Sequence, residues 1–492
     1  KMSYTKKAVQ GVILVFTINI IAAFFGYLIR IVLARNLTVV EYGLFFSVFT
    51  LINFVGIFIG FGTGEALLKY IPEFIAKKEN NKLVSSIFYT LKITFVTFLF
   101  FAVLMFFSAN FLAKNYFKND LALPVLLFSI IIMLLSSVKT ILKLIFQAFQ
   151  KMMLYSMMYL LENLFILSLL FLFFSFQKNI FGAVYSYIFA FFIIIIIFSF
   201  FALKLFDLFK HRKPIEKNLI PLLHKYGLQV TITAFGGIVV IYTDTLLLTY
   251  FRTLDEVGVY NAIVPTAMIL QFIATSIITV LFPMFVELWA LGKKSYLADG
   301  LKLLYKYFFL IIIPGVLIVF AFSETILRLM FGEGYVSGAV AMQILLIGII
   351  FLGLHSLTSS LFLVVGKPEI STRIMIEGAL INLVLNLIII PKYGYIGAAI
   401  TSLLAYFYIA LRCLLKLRNF IEVKIPWINW LKTIFAGFVM LAIIFFLKNM
   451  ISLNVYLEAF ICVFIGGLVY SVLAFFLKII DIKEIKDIIK QI

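Results

Sequence analysis

The chain has 492 residues, of which 64% are hydrophobic and 13% charged, with a mean hydropathy of +1.16. Soluble domains average about half apolar and about a quarter charged residues, so this composition excludes water as the main solvent and leaves lipid. A formal net charge of +19 would suggest nucleic acid in a soluble protein, but these lysines and arginines fall between apolar runs and read as membrane topology.

Lipid narrows the architecture further. An open sheet leaves backbone groups unsatisfied there, and a barrel would show alternating segments of about ten residues. Unbroken runs such as Phe191 to Phe201 leave helices, so the expected fold is an all-α integral membrane protein. A span needs about 20 mainly apolar residues. Fourteen segments meet this: 9–34, 44–71, 86–108, 121–148, 155–176, 180–206, 218–250, 258–289, 299–322, 338–365, 370–390, 396–417, 428–449 and 454–479. The first run is too long for a cleavable signal and leads straight into further spans. No intervening loop is long enough for a folded soluble domain, which argues against an enzyme. The two cysteines, Cys413 and Cys462, and the three histidines are scattered and form no metal or disulfide pattern.

Charge sets the orientation. With the N-terminus in the cytoplasm, 31 of the 41 lysines and arginines flank spans on that side and 8 lie outside, while Arg30 and Lys92 lie within spans. This positive-inside bias places both termini in the cytoplasm of a multi-pass protein of the cell membrane. A missed span would invert every later loop and erase the bias.

The two halves resemble each other. A shift of 215 residues places Glu41 on Glu256, Gly43 on Gly258, Phe45 on Tyr260, Glu162 on Glu377, Gly182 on Gly397 and Ala183 on Ala398. Pro72 and Pro283 match after about one helical turn of slippage. Six spans per repeat make the repeats parallel, related by an axis along the membrane normal. The expected organisation is two pseudo-symmetric six-helix lobes, 1–206 and 218–417, a basic cytoplasmic linker at 207–217, and two further helices with a cytoplasmic tail at 418–492.

The first span ends in ARNLTVVEYGLF and the second in LLKYIPEF. Further on come GKPEI and PKYGYIGAAITSLLAY. In this order and spacing the chain resembles the polysaccharide-biosynthesis flippases of the multidrug/oligosaccharidyl-lipid/polysaccharide exporter superfamily. The resemblance covers essentially the whole chain. It implies a central V-shaped cavity and alternating access. It also implies a polyprenyl-(pyro)phosphate-linked oligosaccharide as cargo, carried from the cytoplasmic to the outer leaflet for surface glycan assembly. Cation-coupled multidrug exporters and lipid II flippases share the fold and stand as alternatives. The implied partners are the lipid-linked oligosaccharide, membrane lipids, and a polysaccharide polymerase or glycosyltransferases, with the monomer as the working unit. No cofactor is expected. Without a nucleotide-binding motif, a sodium or proton gradient is the candidate driving force.

Ionisable groups inside spans are costly and are functional candidates. Arg30 can receive a phosphate or acidic sugar through its fork of donors; the competing role is snorkelling to the outer interface. Asp244 matches Ile29 after the shift, so it can face Arg30 across a cavity, hold a coupling ion, or pair with Arg30 or Arg252. Glu162 and Glu377 form a symmetric pair suited to proton coupling, or else they neutralise nearby lysines. Lys69, Lys92, Lys139 and Lys143 lie at cytoplasmic ends of spans two to four, where a lipid phosphate arrives; ordinary topogenic charge is the competing reading. Glu65 and Lys69, spaced i, i+4, are expected to neutralise each other. The glycines at 56, 60, 62 and 64 predict close helix contact or bending.

Overall fold

The structure is a computed structural model, described here for residues 4–205, 218–451 and 453–480. The expected linker at 207–217 and the tail beyond 480 lie outside the described residues. Regular structure among the described residues is helical throughout, as lipid requires of a backbone that must satisfy its own N–H and C=O groups.

The chain divides into two compact units, 1–261 and 262–492. The first holds α1 (Tyr4–Asn36), α2 (Val39–Gly56), α3 (Thr63–Ala76), α4 (Asn80–Phe111), α5 (Ala122–Ala148), α6 (Met152–Phe176), α7 (Ile180–Leu205), α8 (Leu219–Phe251) and the start of α9 (Leu254–Met268). The second completes α9 and holds α10 (Gln271–Ala290), α11 (Lys294–Ala321), α12 (Ser323–Met330), α13 (Ala339–Val364), α14 (Pro368–Leu417), α15 (Trp427–Met450) and α16 (Val455–Phe476). Twelve of the described segments are long and apolar enough to cross a membrane, and the bent α8 makes a thirteenth. The fourteenth lies within α14. There Glu377 meets Tyr408 and Arg412, Gly378 faces Ile409, and Asn386 bonds Thr401, so partners converge on Gly394 as in an antiparallel hairpin. Gly394 takes φ 55° and ψ −137°, a reversal open to a residue without Cβ.

In the first unit α1 packs on α6, while α5 packs on α2, α3, α4 and α7. Asn163 ties α6 to α1 by donating to the Ala22 carbonyl at 3.1 Å. The second expected span is broken. Gly60, Phe61 and Gly62 all have positive φ (78°, 48° and 69°), and a Cβ on Gly62 would overlap the Gly227 carbonyl of α8. The glycine series therefore does both things expected of it, bending the chain and admitting a neighbour.

The motif TVVE that opens the first repeat is a helix start. The Thr38 hydroxyl accepts from the Glu41 amide at 3.2 Å and the Glu41 carboxylate accepts from the Thr38 amide at 3.0 Å, a capping box for α2. The equivalent TLDE opens α9, where Glu256 takes Arg252 as its partner at 2.7 Å. The two motifs meet. A Cβ on Gly43 would collide with the Leu254 carbonyl and one on Gly258 with the Val39 carbonyl, and 254 is position 39 moved by the repeat shift. Each repeat signature thus seats its glycine on the other's first helical residue. Ser47 and Thr249 bond across the same contact, deeper in the first unit.

In the second unit α13 packs on α14 and on α10, and α11 packs on α13 and α15. The Trp430 ring stacks on Phe309 at 4.0 Å and its indole N–H reaches the Tyr305 carbonyl at 3.2 Å, which fastens α15 to α11. Met440, Ile444 and Cys462 continue that seam to α16.

Candidate functional site

Arg30 occupies the last two turns of α1 and is half-buried. One guanidinium nitrogen donates to the Asn261 carbonyl at 3.2 Å, and its Cζ stands 4.4 Å from the Phe46 ring centroid. Among the described residues no carboxylate forms an ion pair with it. A guanidinium is weakly hydrated, so an aromatic face holds it while its in-plane donors still point to an oxyanion.

From Phe46 a chain of rings runs through the interior. Phe46 touches Phe45 at 5.3 Å between centroids, Phe45 touches Tyr187 at 5.3 Å, and Tyr187 touches Phe191 at 5.9 Å. Phe49 closes a triangle with Phe45 and Tyr187. The spacing of Phe45 and Phe49, and of Tyr187 and Phe191, is i, i+4, which stacks each pair on one helix face. At the far end the Lys139 ammonium sits 3.5 Å from the Phe191 centroid. Lys139 is also bonded to Glu162, and both side chains are largely withdrawn from solvent, at 13% and 16% exposure. The Lys143 ammonium lies 4.8 Å from the Tyr155 ring and 5.2 Å from that of Tyr159. The result is a packed cluster of rings with cations around it: a guanidinium without a carboxylate partner among the described residues, one neutralised ammonium and a second ammonium on tyrosine rings.

Beside this interior is a cavity of about 280 Å³. Its polar wall includes Asn53, Glu65, Thr94, Ser136, Thr140 and Thr231. Glu65 is half-buried and makes no ion pair with Lys69, contrary to expectation. Lys69 lies instead 4.6 Å from the Tyr226 ring and 5.0 Å from the Tyr70 ring. Both residues lie in α3 at helical spacing, but their side chains take different surroundings. Glu65 sits in the first turn of that helix against the cavity, while Lys69 reaches the α8 side. Sequence spacing identified the pair but not the ring and cavity neighbours, so it missed Glu65 as a cavity residue.

The remaining candidates are placed as follows. Asp244 is buried and accepts a hydrogen bond from the Tyr260 hydroxyl, within the α8–α9 hairpin. Lys92 is exposed on α4. Glu377, in the second unit, accepts from the Tyr408 hydroxyl at 3.0 Å and from Arg412 at 3.3 Å. Among the described residues the structure therefore brings Arg30, Lys139 and Glu162 into one ring-linked array, while Lys69 and Lys92 have other surroundings in the first unit and Glu377 belongs to the second. Among the described residues no group of three metal-ligating side chains is assembled.

Known proteins share this architecture and sequence. An uncharacterized membrane protein of Methanocaldococcus jannaschii is 33% identical over all of this chain and 99% of its own length. A probable low-salt glycan biosynthesis flippase of Haloferax volcanii is 22% identical over 57% of this chain and 59% of its own. Among solved structures, the lipid II flippase MurJ in an inward closed conformation superposes with a TM-score of 0.76 at 18% identity, covering 95% of this chain and 99% of that one; at that identity the likeness establishes the fold. The model of the polysaccharide biosynthesis protein family matches residues 8–289, more than half the chain, and with the full-length archaeal relative it shows that this chain belongs to the polysaccharide biosynthesis protein family.

Proposed function

We propose that the protein is a flippase that moves a polyprenyl-(pyro)phosphate-linked oligosaccharide from the cytoplasmic to the outer leaflet of the cell membrane by alternating access, for surface glycan assembly. The carrying observation is Arg30: a half-buried guanidinium, without a carboxylate partner among the described residues, held on the Phe46 ring. A charge in a membrane interior is expensive unless it has work to do, and this one has donors to spare for a phosphate or an acidic sugar. The polar wall of the 280 Å³ cavity suits a glycan, whose hydroxyls would reach Ser136, Thr140 and Asn53. Transport without chemistry fits the family and the substrate; the protein is not proposed as an enzyme. The lobes 1–206 and 218–417 would rock against each other, with both termini in the cytoplasm and the monomer sufficient. Polymerases or glycosyltransferases would supply and consume the glycan.

The test is flipping of a fluorescent polyprenyl-phosphate-linked sugar in proteoliposomes. Arg30→Ala should abolish it in protein that remains folded; wild-type flipping by that variant would sink the assignment. Arg30→Lys should recover part of the rate, since charge remains while the planar fork is lost.

A second reading, export of organic cations, draws on Glu65, a carboxylate in the 280 Å³ cavity without an ion pair among the described residues. For the flippase, Glu65 and Asp244 are the proposed sites of a coupling sodium ion or proton. Collapsing each gradient separately in Glu65→Gln and Asp244→Asn proteoliposomes discriminates. Coupling lost with glycan flipping retained supports the first reading, and uptake of organic cations without glycan flipping supports the second.

A further inference from the structure

The second unit carries a cationic groove that none of the transport argument uses. It lies between the two ends of the α14 hairpin, has a volume of about 390 Å³, and is lined by Arg373, Arg412, Lys416 and Asn419 with Glu369 and Glu377. Both carboxylates already have cations: Lys367 stands 3.8 Å from Glu369, and Arg412 is 3.3 Å from Glu377. Arg373 and Lys416 are left over, exposed and without an ion pair among the described residues. The groove therefore has a surplus of positive charge and an amide, with Ile374 buried behind them.

The surroundings say what kind of anion fits. Position 373 shares its helix face with 377, 380 and 384, and Leu380 and Val384 are exposed. On the returning arm the exposed Leu404, Leu411 and Leu415 lie beside Arg412 and Lys416 along that helix. Each arm thus presents cations at its end and exposed apolar side chains below them. This is the profile of a phosphate with acyl chains attached, because a free phosphate has no use for the apolar stripe. Basic pockets between spans on the cytoplasmic side are suited to anionic head groups. The hairpin ends sit on the charge-rich side, beside Lys367 and Arg418, whereas the reversal at Gly394 has Lys392.

We propose that this groove binds the phosphate of an anionic membrane lipid of the cytoplasmic leaflet, apart from the Arg30 interior. The proposal rests on the orientation given above but not on the identity of the glycan. Native mass spectrometry of the full-length protein in mixed micelles of phosphatidylglycerol and phosphatidylcholine tests it. Wild type should retain phosphatidylglycerol in preference, and Arg373→Gln/Lys416→Gln should lose that preference by about tenfold. Glu377→Gln frees Arg412 and should strengthen retention, an effect opposite to that of a damaged fold. The Arg373→Gln/Lys416→Gln variant should still flip the polyprenyl-linked sugar in proteoliposomes, which separates failure here from failure of the transport assignment. Equal retention by the double variant and wild type would overturn the proposal. So would displacement of phosphatidylglycerol by millimolar inorganic phosphate, which would mark a site for free oxyanions.

Discussion

Glu162 and Glu377 are the same residue of the repeat, and their surroundings have diverged. Glu162 is bonded to Lys139 from α5, with exposures of 16% and 13%; Glu377 takes Arg412 from the second arm of α14, with exposures of 30% and 35%. The repeat shift turns Lys139 into Leu354 and Arg412 into Ile197. Each half therefore kept the carboxylate and recruited its cation from a different helix. In the first unit the cation comes from deep in the span and joins the aromatic interior. In the second it comes from the hairpin end and opens onto the charge-rich rim. A shared position in a repeat predicts the presence of an acid but not what neutralises it, so symmetric residues here need not have symmetric roles.

The comparison breaks most severely at Lys139. Lys139→Met leaves the Glu162 carboxylate buried without its cation, a change expected to cost about 3–5 kcal/mol of stability. Thermal unfolding in detergent should show it as a large fall in Tm. Adding Glu162→Gln should recover most of the loss, because the pair is then removed together. A small loss in the single variant would mean that the deep site is as solvated as the rim.

The next largest effect lies where the repeats remain alike. Gly43→Ala sets a Cβ against the Leu254 carbonyl and, at 2.8 Å, the Gly258 amide nitrogen, so backbone has to move. Overpacking of this kind costs about 1–3 kcal/mol. Gly258→Ala should cost a similar amount, since it meets Val39 in the mirrored position, while Gly56→Ala, with open space around it, should cost little. Unequal losses at 43 and 258 would show that the contact is not symmetric in energy.

Phe46→Leu separates the Arg30 site from the packing around it. Removing the ring under the guanidinium should cost about 1–2 kcal/mol through the lost cation–π contact. Flipping should fall with it, because Arg30 loses its support on one face. The Asn261 carbonyl then remains as its fixed contact. Unchanged flipping would show that Phe46 packs without positioning Arg30.

Much of this was legible in the sequence. Hydropathy and charge bias found the fourteen crossings because lipid leaves the chain few options. The structure reaches that number once α8 is counted as one span and α14 as two. Arg30 stands out because a charge within a span is rare, whereas Lys139 reads only as one of several lysines at the cytoplasmic ends of spans. What could not be read was which neighbour each charge would meet. Lys69 looks toward Glu65 on a helical wheel, and both lie in the same helix α3, but Glu65 turns to the cavity wall and Lys69 to the Tyr70 and Tyr226 rings, neighbours that the sequence does not show. The aromatic chain was equally hidden. With 58 phenylalanines in the sequence, Phe45, Phe46 and Phe49 carry no mark that distinguishes them from lipid-facing bulk. Only packing shows that their rings join two cations.

The smallest effect should come from Arg412. Its side chain and that of Glu377 are each about a third exposed, so water and salt already screen the pair. Arg412→Leu should therefore cost less than about 1 kcal/mol, several-fold below the loss at Lys139. Tyr408 continues to donate to Glu377 at 3.0 Å, which gives the remaining carboxylate a partner. Raising the salt should weaken the wild-type contact toward the level of the variant, whereas the Lys139 pair, being less exposed, should respond less. Tm series for the two variants across ionic strength measure both slopes. If Arg412→Leu proves as damaging as Lys139→Met, or if both pairs respond equally to salt, then the two glutamates are in equivalent environments. The divergence between the repeats would then lie only in which helix supplies the cation.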